Sequence, residues 1–275
     1  MDRDAVLELA AALGPGAGSL IRSSAEIERR TGVDPLGAED LISDTGSYAL
    51  ALRMDGVEAG DLPDLIEAAG ADELTVKGVP AYDLGEKWSE RQIAGPLSPL
   101  EAYASRTAFP EDEIVLARVE SAREAMVDDE ASPLAEPRLA LAAECLGDVE
   151  AARTLPGGLT YNKAASPELL AVGSDAPSDA DARQVICSVG SSAADAEERA
   201  AALEATVGAG ADDPVTDEPL SRFVESAEIG TLEGDGAFAA RAELVLTQEA
   251  PGSFVFSALD RGSVLTYLGA PAPIP

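Results

Sequence analysis

A chain of 275 residues can bury a sizeable core as one large domain or two smaller ones, and its 46% apolar content is ordinary for a globular protein. The net charge of -32, from 51 acidic against 19 basic residues, excludes direct nucleic-acid binding and docking on anionic membranes, because both need clustered Lys and Arg. The absence of histidine excludes Ser-His-Asp and Cys-His nucleophiles and His-containing zinc sites, and two cysteines cannot furnish a four-ligand zinc or iron-sulfur centre.

The first predicted element is a short apolar helix, Ala5 to Leu13, stopped by Gly14-Pro15-Gly16. A second helix runs from a cap at Ser24 through Ile27 to Gly32, and Pro35 is placed to open a further helical piece holding Ala38, Leu41 and Ile42. Ser47 to Met54 is almost wholly apolar apart from Arg53, as an inner strand would be. Asp61 to Ala69 follows as a helix, and Glu73 to Lys77 with Val79 to Leu84 flank Gly78 as a hairpin. Gly85 to Pro110, with Trp88 and Ser98-Pro99, reads as a long loop with a short helix near Leu100 to Ser105. Ile114 to Arg118 is a strand, Ser121 to Val127 a helix, and Glu136 to Leu146 a helix ending at Gly147.

A strand begins within Asp148 to Leu155, and Leu169 to Gly173 is another. Arg183 to Val189 is a β-branched run that exits through Gly190 into a helix capped by Ser192, with Ala196, Ala200, Leu203 and Val207 as its buried stripe and Gly208 as its left-handed end. Gly190-Ser191-Ser192 at a helix N-terminus could hold an anion, but no glycine-rich phosphate motif is present and acidic residues follow, which favours plain capping. Ser226 to Leu232 and Ala237 to Thr247 flank Asp235-Gly236, a hairpin signal, and Ser253 to Leu268 reads as one closing helix.

These elements predict an α+β fold of two similar strand-helix-hairpin-helix units, with mostly antiparallel or mixed sheets and helices packed on one face. The expected division is a helical segment at 1–46, a first unit at 47–155 and a second at 156–275. No apolar run is long enough to span a membrane, and Met1-Asp2-Arg3-Asp4 lacks the basic and apolar regions of a signal peptide. Only three lysines, Lys77, Lys87 and Lys163, stand beside abundant Arg, Ala and Gly; a GC-rich genome accounts for this better than adaptation to high salt.

The run Ile27 to Leu36, with Thr31-Gly32-Val33-Asp34-Pro35 and then Glu39-Asp40, resembles uncharacterised secreted or lipid-anchored proteins of actinobacteria. Gly78-Val79-Pro80-Ala81-Tyr82 and the lone cysteine in each half are similar as well. The resemblance implies an extracytoplasmic location and no established activity. In such an oxidising compartment Cys145 and Cys187 are expected to form a disulfide tying the two units together; the alternative is two small buried apolar residues that never meet.

Candidate chemistry is sparse. Asp212, Asp213, Asp217 and Glu218, or Asp175, Asp179 and Asp181, could bind calcium, yet neither set follows the EF-hand pattern, and solvated acidic loops are the plainer reading. Paired carboxylates could build a glycosidase, but aromatic residues, at 4%, are too few for a sugar platform. The expectation is a non-enzymatic extracytoplasmic protein binding a protein or small ligand, with no catalytic residue, metal or cofactor implied. The alternative is a hydrolase using Asp and Glu carboxylates only.

Overall fold

The computed structural model describes residues 10, 13–14, 17–44, 51–85, 100, 105–127, 136–156, 167–175, 183–213 and 216–270. The fold is α+β, with two antiparallel sheets and helices packed against them. The chain divides into two compact units: Gly14–Ser132, and Met1–Leu13 together with Pro133–Pro275. The expected helix at Ala5 to Leu13, Trp88 and Ser98-Pro99 fall almost entirely or wholly outside the described residues, as do 45–50 at the start of the expected strand at Ser47.

The Gly14–Ser132 unit begins with helices α1 (Ala17–Arg22) and α2 (Ser24–Thr31), the latter ended by Gly32 in the left-handed region at φ 74°. Its six-stranded sheet has the order β1-β2-β6-β5-β4-β3, from β1 (Asp40–Asp44), β2 (Ala51–Asp55), β3 (Asp72–Val76), β4 (Val79–Asp83), β5 (Arg106–Ala108) and β6 (Glu113–Ala117). Helix α3 (Leu62–Ala68) follows β2, and α4 (Glu120–Val127) follows β6. The β3–β4 turn is Lys77-Gly78, both at positive φ, the two-residue hairpin geometry that the glycine signalled. Ala51, Ala81, Ala108, Val115 and Ala117 form the face against Met126 and Ala122 of α4. Leu52 opposite Leu116 and Met54 opposite Ile114 are buried on the other face, as the two-residue strand period requires.

Two expectations fail in this unit. Pro35 opens only a single 3-10 turn, Pro35–Gly37, and Leu41 and Ile42 lie in strand β1. Their spacing imitates a helical stripe, but pairing with β2 decides the conformation, and Ile42 stays 50% exposed. The expected loop from Gly85 to Pro110 ends in β5, whose three residues are too few to show a period.

The second unit has helix α5 (Pro137–Leu146) and a five-stranded sheet ordered β10-β11-β9-β8-β7. Its strands are β7 (Ala151–Pro156), β8 (Leu169–Ser174), β9 (Arg183–Gly190), β10 (Val224–Gly234) and β11 (Ala237–Leu246). Helix α6 (Ala193–Leu203) leads into a π-turn at Glu204–Gly208, so the left-handed glycine is Gly210, at φ 64°, rather than Gly208. The expected closing helix is broken at Gly262, φ 80°, into α7 (Phe254–Arg261) and α8 (Ser263–Tyr267).

Strands β8 and β9 are buried on both faces, so the expectation of helices on one face fails here. Val172, Ile186, Ala242 and Leu244 pack with Leu203 of α6 and with Phe254, Phe256 and Tyr267 of the closing helices. Ala171, Val185, Cys187 and Val189 pack on the other face with Leu141, Cys145 and Leu146 of α5. Because β7 pairs with β8 and α5 packs on this sheet, residues 137–155 group with the second unit rather than with the expected first unit at 47–155.

Both sheets contain the same sub-order. In β1-β2-β6-β5 and in β8-β9-β11-β10 a hairpin's second strand pairs with the last strand of a later hairpin, and a helix follows each hairpin. The counterpart of β10–β11 is thus β5–β6; β3–β4, the expected equivalent, lies further out in the sheet.

Candidate functional site

A polar constellation surrounds Gly190, where β9 ends and α6 begins. Ser192 has extended backbone angles, φ -126° and ψ 124°, and its hydroxyl accepts from Asp195 N at 3.3 Å, as a helix cap does. Ser191 takes a different partner. Its backbone N and its Oγ both donate to Glu168 Oε1, at 3.1 and 2.6 Å. Glu168 stands just before β8, which the sheet places beside β9.

The other oxygen of Glu168 accepts from Arg138 Nη1 at 2.8 Å, and Arg138 Nε donates to Glu136 Oε1 at 2.6 Å. Glu136 caps α5 by accepting from Leu139 N at 3.0 Å. Behind this exposed chain of charges, Arg199 of α6 donates to the buried Ser188 hydroxyl at 3.2 Å. The N-terminal ends of α5 and α6 are therefore joined through Glu136, Arg138, Glu168 and Ser191.

The electrostatics decide what this site can do. The Ser191 hydroxyl and then Arg138 hold Glu168 below the usual carboxylate range, and the Arg138 guanidinium does the same for Glu136. The two glutamates in turn hold the Arg138 proton more tightly. A carboxylate so stabilised is a weaker base than a free one, which suits Glu168 to holding Ser191 in place more than to activating it. The anion at this helix N-terminus is the chain's own Glu168 side chain, which takes the donors a phosphate would need.

No family model, no curated protein and no solved structure matches this chain.

The cysteines meet. Cys145 on α5 and Cys187 in the centre of β9 are disulfide-bonded, with sulfurs 2.09 Å and Cα atoms 6.2 Å apart, and both are fully buried. The bond lies within the second unit rather than between two units, because α5 covers this sheet. Arg241, paired in register with Cys187, donates from Nε to the Cys145 carbonyl at 2.7 Å and so places a cation at the C-terminal end of α5.

Of the residues weighed as calcium ligands, Asp179 and Asp181 fall outside the described residues, and Asp175 is paired with Arg183. Asp213 is 2% exposed and accepts from Tyr267 Oη at 2.6 Å and from Ser263 Oγ at 3.2 Å. Its charge thus anchors the loop before β10 to the last helix. Among the described residues no group of three or more His, Cys, Asp or Glu converges as a metal site. The Glu168–Ser191 and Asp213–Tyr267 contacts link residues 23 and 54 positions apart, so no local motif announces them.

Proposed function

We propose that this is a non-catalytic extracytoplasmic protein that acts by binding a partner. The observation that carries the reading is the Cys145–Cys187 pair, which leaves no free cysteine among the described residues, as suits an oxidising compartment. The resemblance of Ile27 to Leu36 to secreted or lipid-anchored actinobacterial proteins supports the same location. No helix of the described residues is long and apolar enough to cross a membrane.

Binding is favoured over hydrolysis by the direction of the carboxylate shifts. Carboxylate-only hydrolysis needs one acid held protonated near neutral pH, whereas Glu136 and Glu168 move the opposite way. The excess of acid over base, 51 against 19, suits a partner rich in Lys or Arg. The shared strand sub-order supports, as a further part of this reading, descent of the two units from one duplicated hairpin-helix-hairpin-helix ancestor.

Acid quenching and alkylation of the protein inside the cell that makes it is the direct test. Cys145 and Cys187 are expected to resist alkylation until a reductant is added. Two cysteines modified without reductant would overturn the extracytoplasmic assignment, and turnover of chromogenic glycosides or esters by the intact chain would overturn the non-catalytic one.

A further inference from the structure

Strand β10 is the one long edge of the second sheet. It pairs with β11 on one side, and among the described residues no strand pairs with its other side. The turn at Asp235-Gly236, with φ 46° and 80°, fixes how its backbone groups are used. In such a two-residue hairpin the flanking pair, Gly234 and Ala237, exchanges both hydrogen bonds, and alternation assigns Leu232, Gly230, Glu228 and Ser226 to β11 as well. The N–H and C=O groups of Glu233, Thr231, Ile229 and Ala227 then point away from the sheet.

Protein edges are ordinarily blunted by short length, lysine, proline, bulges or a covering segment. Strand β10 has eleven residues without Lys or Pro, and its register shift falls at the far end, between Val224 and Ser226. Its charges are Glu225, Glu228 and Glu233, all exposed and none in an ion pair among the described residues. Glu228 even stands opposite Glu243, whose own carboxylate is used by Arg241 and Arg183. A second copy would bring a net charge of -32 to this edge and be repelled. A segment carrying cations would relieve the uncompensated carboxylates on both faces, Glu228 on one and Glu233 on the other, and exposed Gly230 leaves room beside Glu228 for a long side chain.

We propose that β10 is a docking edge for an extended Lys- or Arg-bearing segment of a partner protein, which adds to the sheet as a sixth strand. This rests on reading the chain as a binding protein and names the chemistry of its partner. Backbone hydrogen bonds supply affinity, and the glutamates select sign and exclude self-pairing.

The test uses the full chain and a fluorescent nonapeptide, Thr-Thr-Lys-Lys-Thr-Thr-Lys-Lys-Thr, which as a strand carries Lys on both faces, followed by anisotropy. Saturable binding is expected, weakening as salt rises from about 20 mM to about 300 mM but retaining a salt-resistant part from the backbone bonds. Thr231→Pro removes an outward N–H without touching the β10–β11 ladder and is expected to cut affinity at least about tenfold, while Thr231→Val keeps it. Glu228→Lys with Glu233→Lys is expected to cut it comparably. Should Thr231→Pro not fold, the peptide carries the same test: N-methylation of every amide blocks both of its edges and is expected to abolish binding, whereas methylation of alternate amides leaves one edge free and is expected to spare it.

Undiminished binding of the fully N-methylated peptide, or of the parent peptide to a folded Thr231→Pro variant, would overturn edge docking and leave a partner-binding protein whose contact is diffuse charge. No binding by the unmodified chain would overturn the proposal outright. Self-association abolished by Thr231→Pro would put a second copy at the edge and overturn the cationic segment. Substrate turnover would sink the binding-protein reading instead, independently of the peptide result.

Discussion

Tyr267 and Asp213 illustrate how a surplus acid becomes structural. Burial, and then the hydrogen bond to Asp213, push the Tyr267 hydroxyl well above its ordinary value of 10.0. The folded protein therefore keeps the phenolic proton at a pH where the unfolded chain loses it. Stability from this group is fully present below pH 10 and falls above it, by about 1.4 kcal/mol per pH unit from Tyr267 alone. Tyr267→Phe should flatten that alkaline limb and lower stability near neutrality by about 1–3 kcal/mol, because Asp213 loses a donor while still buried. Urea titrations of both proteins between neutral and alkaline pH measure both effects. Glu168 has the opposite sign: its contribution is present above the ordinary value of 4.5 and disappears as pH falls through its lowered folded value. Glu168→Gln is expected to shallow the acid limb and leave the alkaline limb unchanged.

The disulfide couples a helix to a strand, and its worth follows from the 42-residue separation of its ends. Replacing Cys145 and Cys187 together by Ala should lower stability by about 4 kcal/mol in the chain-entropy account, read as a lower denaturant midpoint. Gly60 makes a comparable local demand. It sits at φ 53°, where an added Cβ would lie 2.6 Å from the Thr31 carbonyl oxygen, so Gly60→Ala is expected to cost more than about 1 kcal/mol in the same measurement.

Elements whose own residues settle their conformation were legible in the sequence. The alternation in β11, the Asp235-Gly236 turn, the Lys77-Gly78 turn and the Ser192 cap all occur where the residue pattern puts them. Elements decided by distant partners were not. Leu41 and Ile42 have helical spacing and form a strand because β2 is beside them; the break at Gly262 is different, a local signal overridden in the reading by the continuous apolar pattern of Ser253 to Leu268. The candidate site failed to show for the same reason: Ser191 and Ser192 were visible, whereas Glu168 and Arg138 arrive from other elements. The acidic edge at β10 carries its glutamates openly, but only the strand order shows that it is an edge.

Charge acts on all of these together. At -32 the chain repels itself most in the compact state, so salt that screens exposed carboxylates should stabilise it. Thermal midpoints are expected to rise between about 10 mM and about 300 mM KCl, as the Debye length falls from roughly 30 Å to below 8 Å, and then to level off. A midpoint still climbing in molar salt would favour adaptation to brine over genomic composition as the source of the acidity. Ion pairs such as Arg222 with Glu218 and Glu249 are exposed and should weaken over the same range, which makes the net rise a measure of the unpaired surplus.

Leu13 packs with a cluster whose other members run from Ala151 to Leu268, while Gly14–Ser132 closes as a unit between them. A ribosome delivers this order from one end, so Leu13 emerges on the order of 10 to 50 s before the last residues of the cluster it packs with. The intervening unit can finish folding in that interval, and Leu13 must wait for its cluster throughout. Cys187 in turn appears 42 residues after Cys145, before β10, β11, α7 and α8 have been made. An oxidant acting on the nascent chain would close a covalent ring around β7 and β8 first, leaving the last third of the polypeptide to assemble onto it.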